Sequence, residues 1–232
     1  MPEITLIAPG GIRAALQQLL PIFEQATGHK VAPTFASGGA TKAKTVAGER
    51  FDVPVLQPPL VSVIASGNVD ARSETPLATV SVVLAMRAGA AQPDISNAEG
   101  VKRLLLTVPS IACPNAAAGA ACGVSFEATL TKLGITETVA PKIKPAPSGW
   151  EAIKMLARGE VELGITFESE NDPDPDVAML GALPREISTP TGFVAFVHAR
   201  SPEPKAATAL VQFLGSAAAA KIFRACGMTP GT

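Results

Sequence analysis

A short apolar strand that ends on glycine and runs straight into a helix is the unit this chain repeats. It narrows the available folds more than any other feature. The first instance is Ala8-Pro9-Gly10-Gly11-Ile12-Arg13. The run Ile4-Thr5-Leu6-Ile7 before it reads as a buried strand. Ile12, Leu16, Leu19, Leu20 and Phe23 after it recur at helical spacing across 12–26. Such a turn leaves the first N–H groups of the helix without intrahelical partners. They point past the C-terminal end of the strand, where the helix dipole favours negative charge.

The pattern returns along the chain. A strand over 30–35 leads to Ala36-Ser37-Gly38-Gly39-Ala40-Thr41 and a helix over 41–48. Phe51-Asp52-Val53-Pro54-Val55-Leu56 forms a third strand, with Pro54 awkward for a central position, and a short helix spans 58–66. The longer β-branched run 77–86 reads as a strand crossing between lobes. Ser96, with Glu99 three residues on, is expected to cap a helix over 97–106. A strand at 110–113 precedes the small-residue loop Pro114 to Gly123 and a helix over 124–133. A strand at 142–145 leads through Ala146-Pro147-Ser148-Gly149 into a helix over 150–158, and 162–167 is again a strand. Strand 192–197 carries the chain back, and two helices close it over 204–214 and 217–226. Strand–helix alternation predicts an α/β fold with mostly parallel sheets. Crossings near 77–86 and 188–197 divide it into lobe 1, residues 1–80 and 190–232, and lobe 2, residues 81–189. Ligands of such sheets sit outside the C-terminal ends of the strands, so the glycine turns are expected to converge on one cleft between the lobes.

Composition excludes several functions. The net charge is −1, 17% of residues are charged and tyrosine is absent, which leaves neither a basic surface nor a stacking platform for nucleic acid. Cys113, Cys122 and Cys226 form no CxxC pair and no metal-ligand spacing, so neither a disulfide framework nor a metal site is expected. The segment 168–176 is acidic but lacks the glycine and terminal glutamate of an EF-hand, and it reads as a solvated loop. No apolar run is long enough to span a membrane. Met1-Pro2-Glu3 enters the first strand without a leader, which implies a cytoplasmic protein, or a periplasmic one whose signal peptide was removed.

The order and spacing of Ile4-Thr5-Leu6-Ile7-Ala8, Phe35-Ala36-Ser37, Phe51-Asp52-Val53, Cys122-Gly123, Leu163-Gly164-Ile165 and Ala218-Ala219-Ala220-Lys221-Ile222-Phe223 resemble the type II periplasmic-binding-protein fold. Within that fold they resemble the molybdate-binding (ModA-like) family of ABC-transporter proteins. The resemblance covers nearly the whole chain. It implies two lobes, each with a central sheet flanked by helices, joined by two crossover strands. It also implies a small anionic ligand held by helix N-termini, an ABC permease as partner, a monomer and no cofactor. By the same resemblance, Gly11 and Gly38 stand where molybdate binders place serine hydroxyls, and Phe167 stands where they place a closing tyrosine. Backbone donors fall at Cys122 and Gly149. A neutral hydrogen bond nets about 0.5–1.5 kcal/mol, so three missing hydroxyls weaken a compact oxyanion by roughly a hundredfold or more. The enlarged cleft then favours an organic di- or tricarboxylate over molybdate. Gly10-Gly11, Thr27-Gly28-His29-Lys30 and Arg87-Ala88-Gly89 with Pro93-Asp94-Ile95-Ser96 resemble a subset related to aconitate isomerase.

The candidate ligand-binding residues are therefore Gly10, Gly11, Arg13, Ser37, Gly38, Gly39, Lys42, Cys122, Gly123, Ser148, Gly149, Trp150 and Phe167. Arg13 either pairs a ligand carboxylate or is a solvated helix arginine. Lys42 is placed for the same task or for general base work, or is a surface lysine. Cys122 at a helix start is either a stabilised thiolate or a small apolar residue. Trp150 and Phe167 either wall the cleft or belong to the core. Glu168 is the best-placed carboxylate for proton transfer, with a plain acidic loop as the alternative. Neither His29 nor His198 has a carboxylate or serine partner that spacing can identify. A solute receptor and a polycarboxylate isomerase with Lys42, Glu168 or Cys122 as acid or base both remain open, with a cytoplasmic anion sensor as a third reading.

Overall fold

The computed structural model describes residues 3–170 and 174–231. The chain divides into two units: one takes the chain up to Val80 and from Gly192 onward, and the other is Ser81–Thr191.

In the first unit β1, Glu3–Pro9, passes through a 3-10 turn at Gly10–Ile12 into α1, Arg13–Thr27. α1 buries Ala15, Leu16, Leu19, Leu20 and Phe23, the stripe its periodicity predicts, and ends at Gly28 with φ 74°. β2, Lys30–Ala36, runs into α2, Gly38–Val46. This helix begins three residues earlier than the sequence suggests, because Ser37 caps it by accepting from the Ala40 N–H at 3.1 Å. Both glycines are thus inside its first turn. β3, Val53–Leu56, α3, Val61–Ala65, and the long β4, Val69–Val80, follow.

The second unit opens with β5, Val82–Arg87, so the run read as one crossing strand is two, broken at Ser81. α4, Ala98–Thr107, is capped by Asn97 rather than Ser96. The Asn97 side-chain oxygen accepts from Gly100 N–H at 2.9 Å, and the Glu186 carboxylate takes the Ala98 N–H at 2.7 Å. Then come β6, Ile111–Pro114, α5, Ala121–Leu133, the single turn α6, Thr136–Val139, β7, Ile143–Ala146, α7, Gly149–Ala157, and β8, Leu163–Phe167. A 3-10 turn at Glu168–Glu170 follows, and β9, Val177–Ala182, is a strand the sequence reading lacks. The middle of the acidic segment, 171–173, lies outside the described residues, as do Met1 and Pro2 of the chain start. β10, Thr191–His198, α8, Pro204–Leu214, α9, Ala217–Ala225, and β11, Thr229–Pro230, complete the chain.

Each unit is built on one sheet, in the order β11-β4-β10-β3-β1-β2 and β7-β6-β8-β5-β9. The strands that carry glycine turns are parallel: β1 with β2 and β3, and β6 with β7 and β8. β10 runs antiparallel to β3, and β5 antiparallel to β8 and β9. Pro54 is tolerated inside the first sheet because β3 pairs only briefly on each side, through Val53 and Pro54 to β1 and through Val55 and Leu56 to β10. Leu56, Val63, Val69, Val194 and Phe196 form one cluster of the first unit's core. Ala112, Ala146, Ala152, Ile153, Leu156 and Val161 pack beneath β5 in the second. Among the described residues no single helix is long and apolar enough to cross a membrane.

Candidate functional site

In the first unit the ends of β1 and β2 are level, with Pro9 opposite Ala36. The Gly10-Gly11 turn and the Ser37-Gly38-Gly39 turn therefore leave the sheet side by side. No side chain caps the 3-10 turn or the start of α1, whereas Ser37 caps α2. Arg13 opens α1 and reaches across to β2, its guanidinium carbon 4.7 Å from the Phe35 ring centroid. The ring holds the exposed guanidinium, and among the described residues no carboxylate pairs with it. Lys42 lies half-buried on α2, and desolvation lowers its pKa from 10.5. An ammonium stripped of part of its water gains from an anionic partner.

The opposite end of the same sheet holds a network that spacing could not reveal. The Asp52 carboxylate accepts from Thr5 N at 2.9 Å, Thr5 Oγ1 at 2.7 Å and Ser201 Oγ at 2.5 Å. His198 donates its N–H to the Asp52 carbonyl at 2.9 Å. A serine, a carboxylate and a histidine do meet here, but not as a catalytic relay. Ser201 donates to Asp52, and His198 Nδ1 accepts from Arg200 N–H at 3.1 Å. Burial first, then the Arg200 charge, lowers the His198 pKa. Because Thr5 and Asp52 precede the paired residues Leu6 and Val53, the network sits at the N-terminal ends of β1 and β3, away from the glycine turns.

In the second unit Pro114 is opposite Ala146, and Asn115 N–H donates to the Ala146 carbonyl at 3.0 Å. The turns before α5 and α7 therefore start together, as their counterparts do in the first unit. Ser148 caps α7 by accepting from Glu151 N–H at 3.2 Å, and no side chain caps α5. Gly123 is packed so closely on the preceding loop that a Cβ would run into the Pro114 carbonyl oxygen and Ala116 N. A Cβ at Gly149 would meet Thr166 Oγ1 and Glu170 Oε2. Thr166 is fully buried and its hydroxyl has no hydrogen-bond partner.

The thiolate reading of Cys122 is corrected by its burial. The side chain is 3% exposed, and desolvation, with Cys113 and the Glu170 charge adding to it, pushes the thiol well above its usual range. The helix dipole does not overcome that, so Cys122 is a small buried residue and not a stabilised thiolate. At pH 8 a thiol titration of the native protein should count no more than one reactive cysteine, the half-buried Cys226, and all three in urea. Trp150 is not core: it is 44% exposed, with Lys154 Nζ 3.4 Å over its ring. Phe167 is 3% exposed, opposite Val82 in the sheet. Glu168 has an exposed side chain, while its backbone N–H donates to the Ser81 carbonyl at 3.1 Å. Glu170, which the sequence reading passed over, is the carboxylate that faces the start of α7. The two residues are separated by most of a 3-10 turn, a rotation that sequence proximity conceals.

Known proteins are similar to this chain over nearly its whole length. An aconitate isomerase from a Pseudomonas species is 29% identical over 234 residues, covering 98% of this chain and 87% of that protein. The molybdate-binding protein ModA of Azotobacter vinelandii is 26% identical over 231 residues, covering 97% of this chain and 89% of that protein. The solved periplasmic molybdate-binding protein of Azotobacter vinelandii superposes with a TM-score of 0.79 at 21% identity, covering 99% of this chain and all of that one (100%). Residues 4–229 match the bacterial extracellular solute-binding protein family, and the chain belongs to it, as a ModA-like member with the type II periplasmic-binding fold.

Proposed function

We propose that this chain is a receptor for a small organic di- or tricarboxylate, exported to the periplasm and serving an ABC permease. The observation that carries the reading is the makeup of the first unit's donor cluster. Gly10, Gly38 and Gly39 lie at helix starts without hydroxyl side chains, Ser37 is engaged in capping, and Arg13 and Lys42 stand beside them as cations. A planar carboxylate suits the flat guanidinium fork, with bidentate charge-assisted bonds that a neutral donor cannot match. Gly123, Ser148 and Gly149 supply helix-start donors in the second unit. With three side-chain hydroxyls replaced by Gly11, Gly38 and Phe167, a compact tetrahedral oxyanion is the weaker guest.

Thermal unfolding with citrate, tricarballylate, cis-aconitate, molybdate, tungstate and sulfate at equal concentrations tests this. A ligand at a hundred times its Kd adds about 2.7 kcal/mol to the folded state, a rise of several degrees in Tm. A polycarboxylate should give the largest rise. A strong rise with molybdate and none with any carboxylate would defeat the ligand assignment.

The similarity to an aconitate isomerase over 98% of the chain supports a second reading, a polycarboxylate isomerase on the same scaffold. Isomerisation needs a group within hydrogen-bond reach of the carbon-bound proton. With Cys122 protonated and buried, Lys42 and Glu168 remain from the sequence candidates. Proton NMR of cis- or trans-aconitate incubated with concentrated protein separates the two, since a receptor leaves the isomer ratio unchanged.

A further inference from the structure

His198 ends β10, is buried, and takes no part in either set of glycine turns. Its Nδ1 accepts from the Arg200 N–H at 3.1 Å, so the neutral ring carries its proton on Nε2. That nitrogen is buried and has no hydrogen-bond partner among the described residues. A protonated ring would have a donor at both nitrogens. One would face the Arg200 N–H, itself a donor, and the other would gain no acceptor. Of the charges around the ring, Arg200 on the same turn and Arg50 ahead of β3 oppose a positive ring, and Asp52 favours one. The Asp52 carboxylate is already engaged by Thr5 and Ser201. Burial is the largest influence, and the ring's pKa lies below 6.5.

The turn fixed by the His198 ring also anchors α2. Arg200 Nη2 donates to Asn68 Oδ1 at 2.8 Å. The buried Asn68 amide in turn donates to the carbonyls of Thr45 at 3.2 Å and Val46 at 3.1 Å, in the last turn of α2. Ala199 N–H donates to the Asn68 carbonyl at 2.9 Å, which ties the same two segments through their backbones.

We propose that His198 is a pH-sensitive latch in the first unit: neutral, it fixes the Arg200 turn and, through Asn68, the C-terminal end of α2; protonated, it loses its bond to the Arg200 amide and frees that end. The freed helix is the one that begins at Gly38 behind the Ser37 cap, so acid loosens the element that carries one of the glycine turns. The latch is independent of which ligand that turn serves. Because the ring's pKa is depressed in the folded state, neutral His198 contributes stability that is complete above 6.5 and is lost as pH falls from there through the folded value.

The test compares wild type, His198→Asn and Asn68→Ala by urea denaturation and by NMR between about pH 7 and pH 5. Asparagine keeps an acceptor for the amide two residues on and cannot be protonated. The urea midpoint of wild type should fall over this range by more than that of His198→Asn, whose fall reports all the other groups. In wild type the amides of Thr45, Val46 and Ala47 and the Asn68 side-chain NH2 should shift together with the His198 ring, at a midpoint below 6.5, and they should not do so in His198→Asn. In Asn68→Ala the ring should still titrate while the α2 amides no longer follow it. Equal pH dependence of wild type and His198→Asn, or a His198 ring that titrates at or above 6.5, would overturn the latch. A ring that titrates low in wild type while the α2 amides stay unmoved would overturn the relay through Asn68.

Discussion

Replacing Asp52 with alanine is expected to lower the stability of the first unit by about 3 kcal/mol, the largest loss from any single polar side chain here. Asp52 is 5% exposed and accepts three hydrogen bonds, from Thr5 N, Thr5 Oγ1 and Ser201 Oγ. Alanine leaves all three donors without the carboxylate they share. Urea denaturation followed by far-UV circular dichroism reads the effect as a lower midpoint with the slope unchanged. The pH dependence supplies an independent check. Burial pushes the Asp52 carboxyl up, but hydrogen bonds from Ser201 and Thr5 outweigh it and hold the folded pKa below 3.8. A group depressed in the folded state contributes stability above its unfolded pKa and loses it as pH falls through the folded one. The gap between wild type and Asp52→Ala should therefore be full at neutral pH and shrink below 3.8. An equal gap at pH 7 and in acid would mean the lost stability is packing rather than ionised hydrogen bonds.

The second large effect is expected at Gly123. Its added Cβ would strike the Pro114 carbonyl oxygen and Ala116 N, both backbone atoms in the loop that feeds α5. Backbone yields only by moving the loop or the helix, unlike the end of a long side chain that can swing away. Gly123→Ala should cost about 3 kcal/mol. Displacing the start of α5 also spoils the donor geometry there, so polycarboxylate binding should weaken beyond what stability explains. Val124→Ala is the comparison: Val124 neighbours Gly123 on the helix but is 50% exposed, and its loss should fall within about 0.5 kcal/mol. If Gly123→Ala matched Val124→Ala in both stability and binding, the close packing of loop on helix would be refuted.

The alternation of strands and helices was legible because apolar period and glycine turns speak locally. α1 and its buried stripe, α5 and α8 follow directly from spacing. The missed elements lack that local signal. β9 carries Gly181 and mixed burial, and its place is set by pairing with β5, nearly a hundred residues earlier. The shift of the cap from Ser96 to Asn97 turns on which adjacent side chain reaches Gly100, a matter of one backbone rotation. The Asp52, Ser201 and His198 network joins residues 149 positions apart, which no spacing rule registers. At the candidate site the positions of the glycine turns, Arg13 and Lys42 beside helix starts could be read from the pattern alone. The approach of Glu170 to Gly149 could not, since it depends on the chain folding back over the start of α7.

The strand order of the first sheet has a consequence for how the polypeptide matures. β10 lies between β4 and β3, so two segments made early wait for a third made late. Ser81–Thr191 is one uninterrupted stretch and has all its own partners before the C-terminal strands are added. The N-terminal portion must remain incomplete, with the flanks of β3 and β4 unpaired, until the C-terminal strands emerge. The connectivity thus lets the middle of the chain close on its own, while its two ends can close only together.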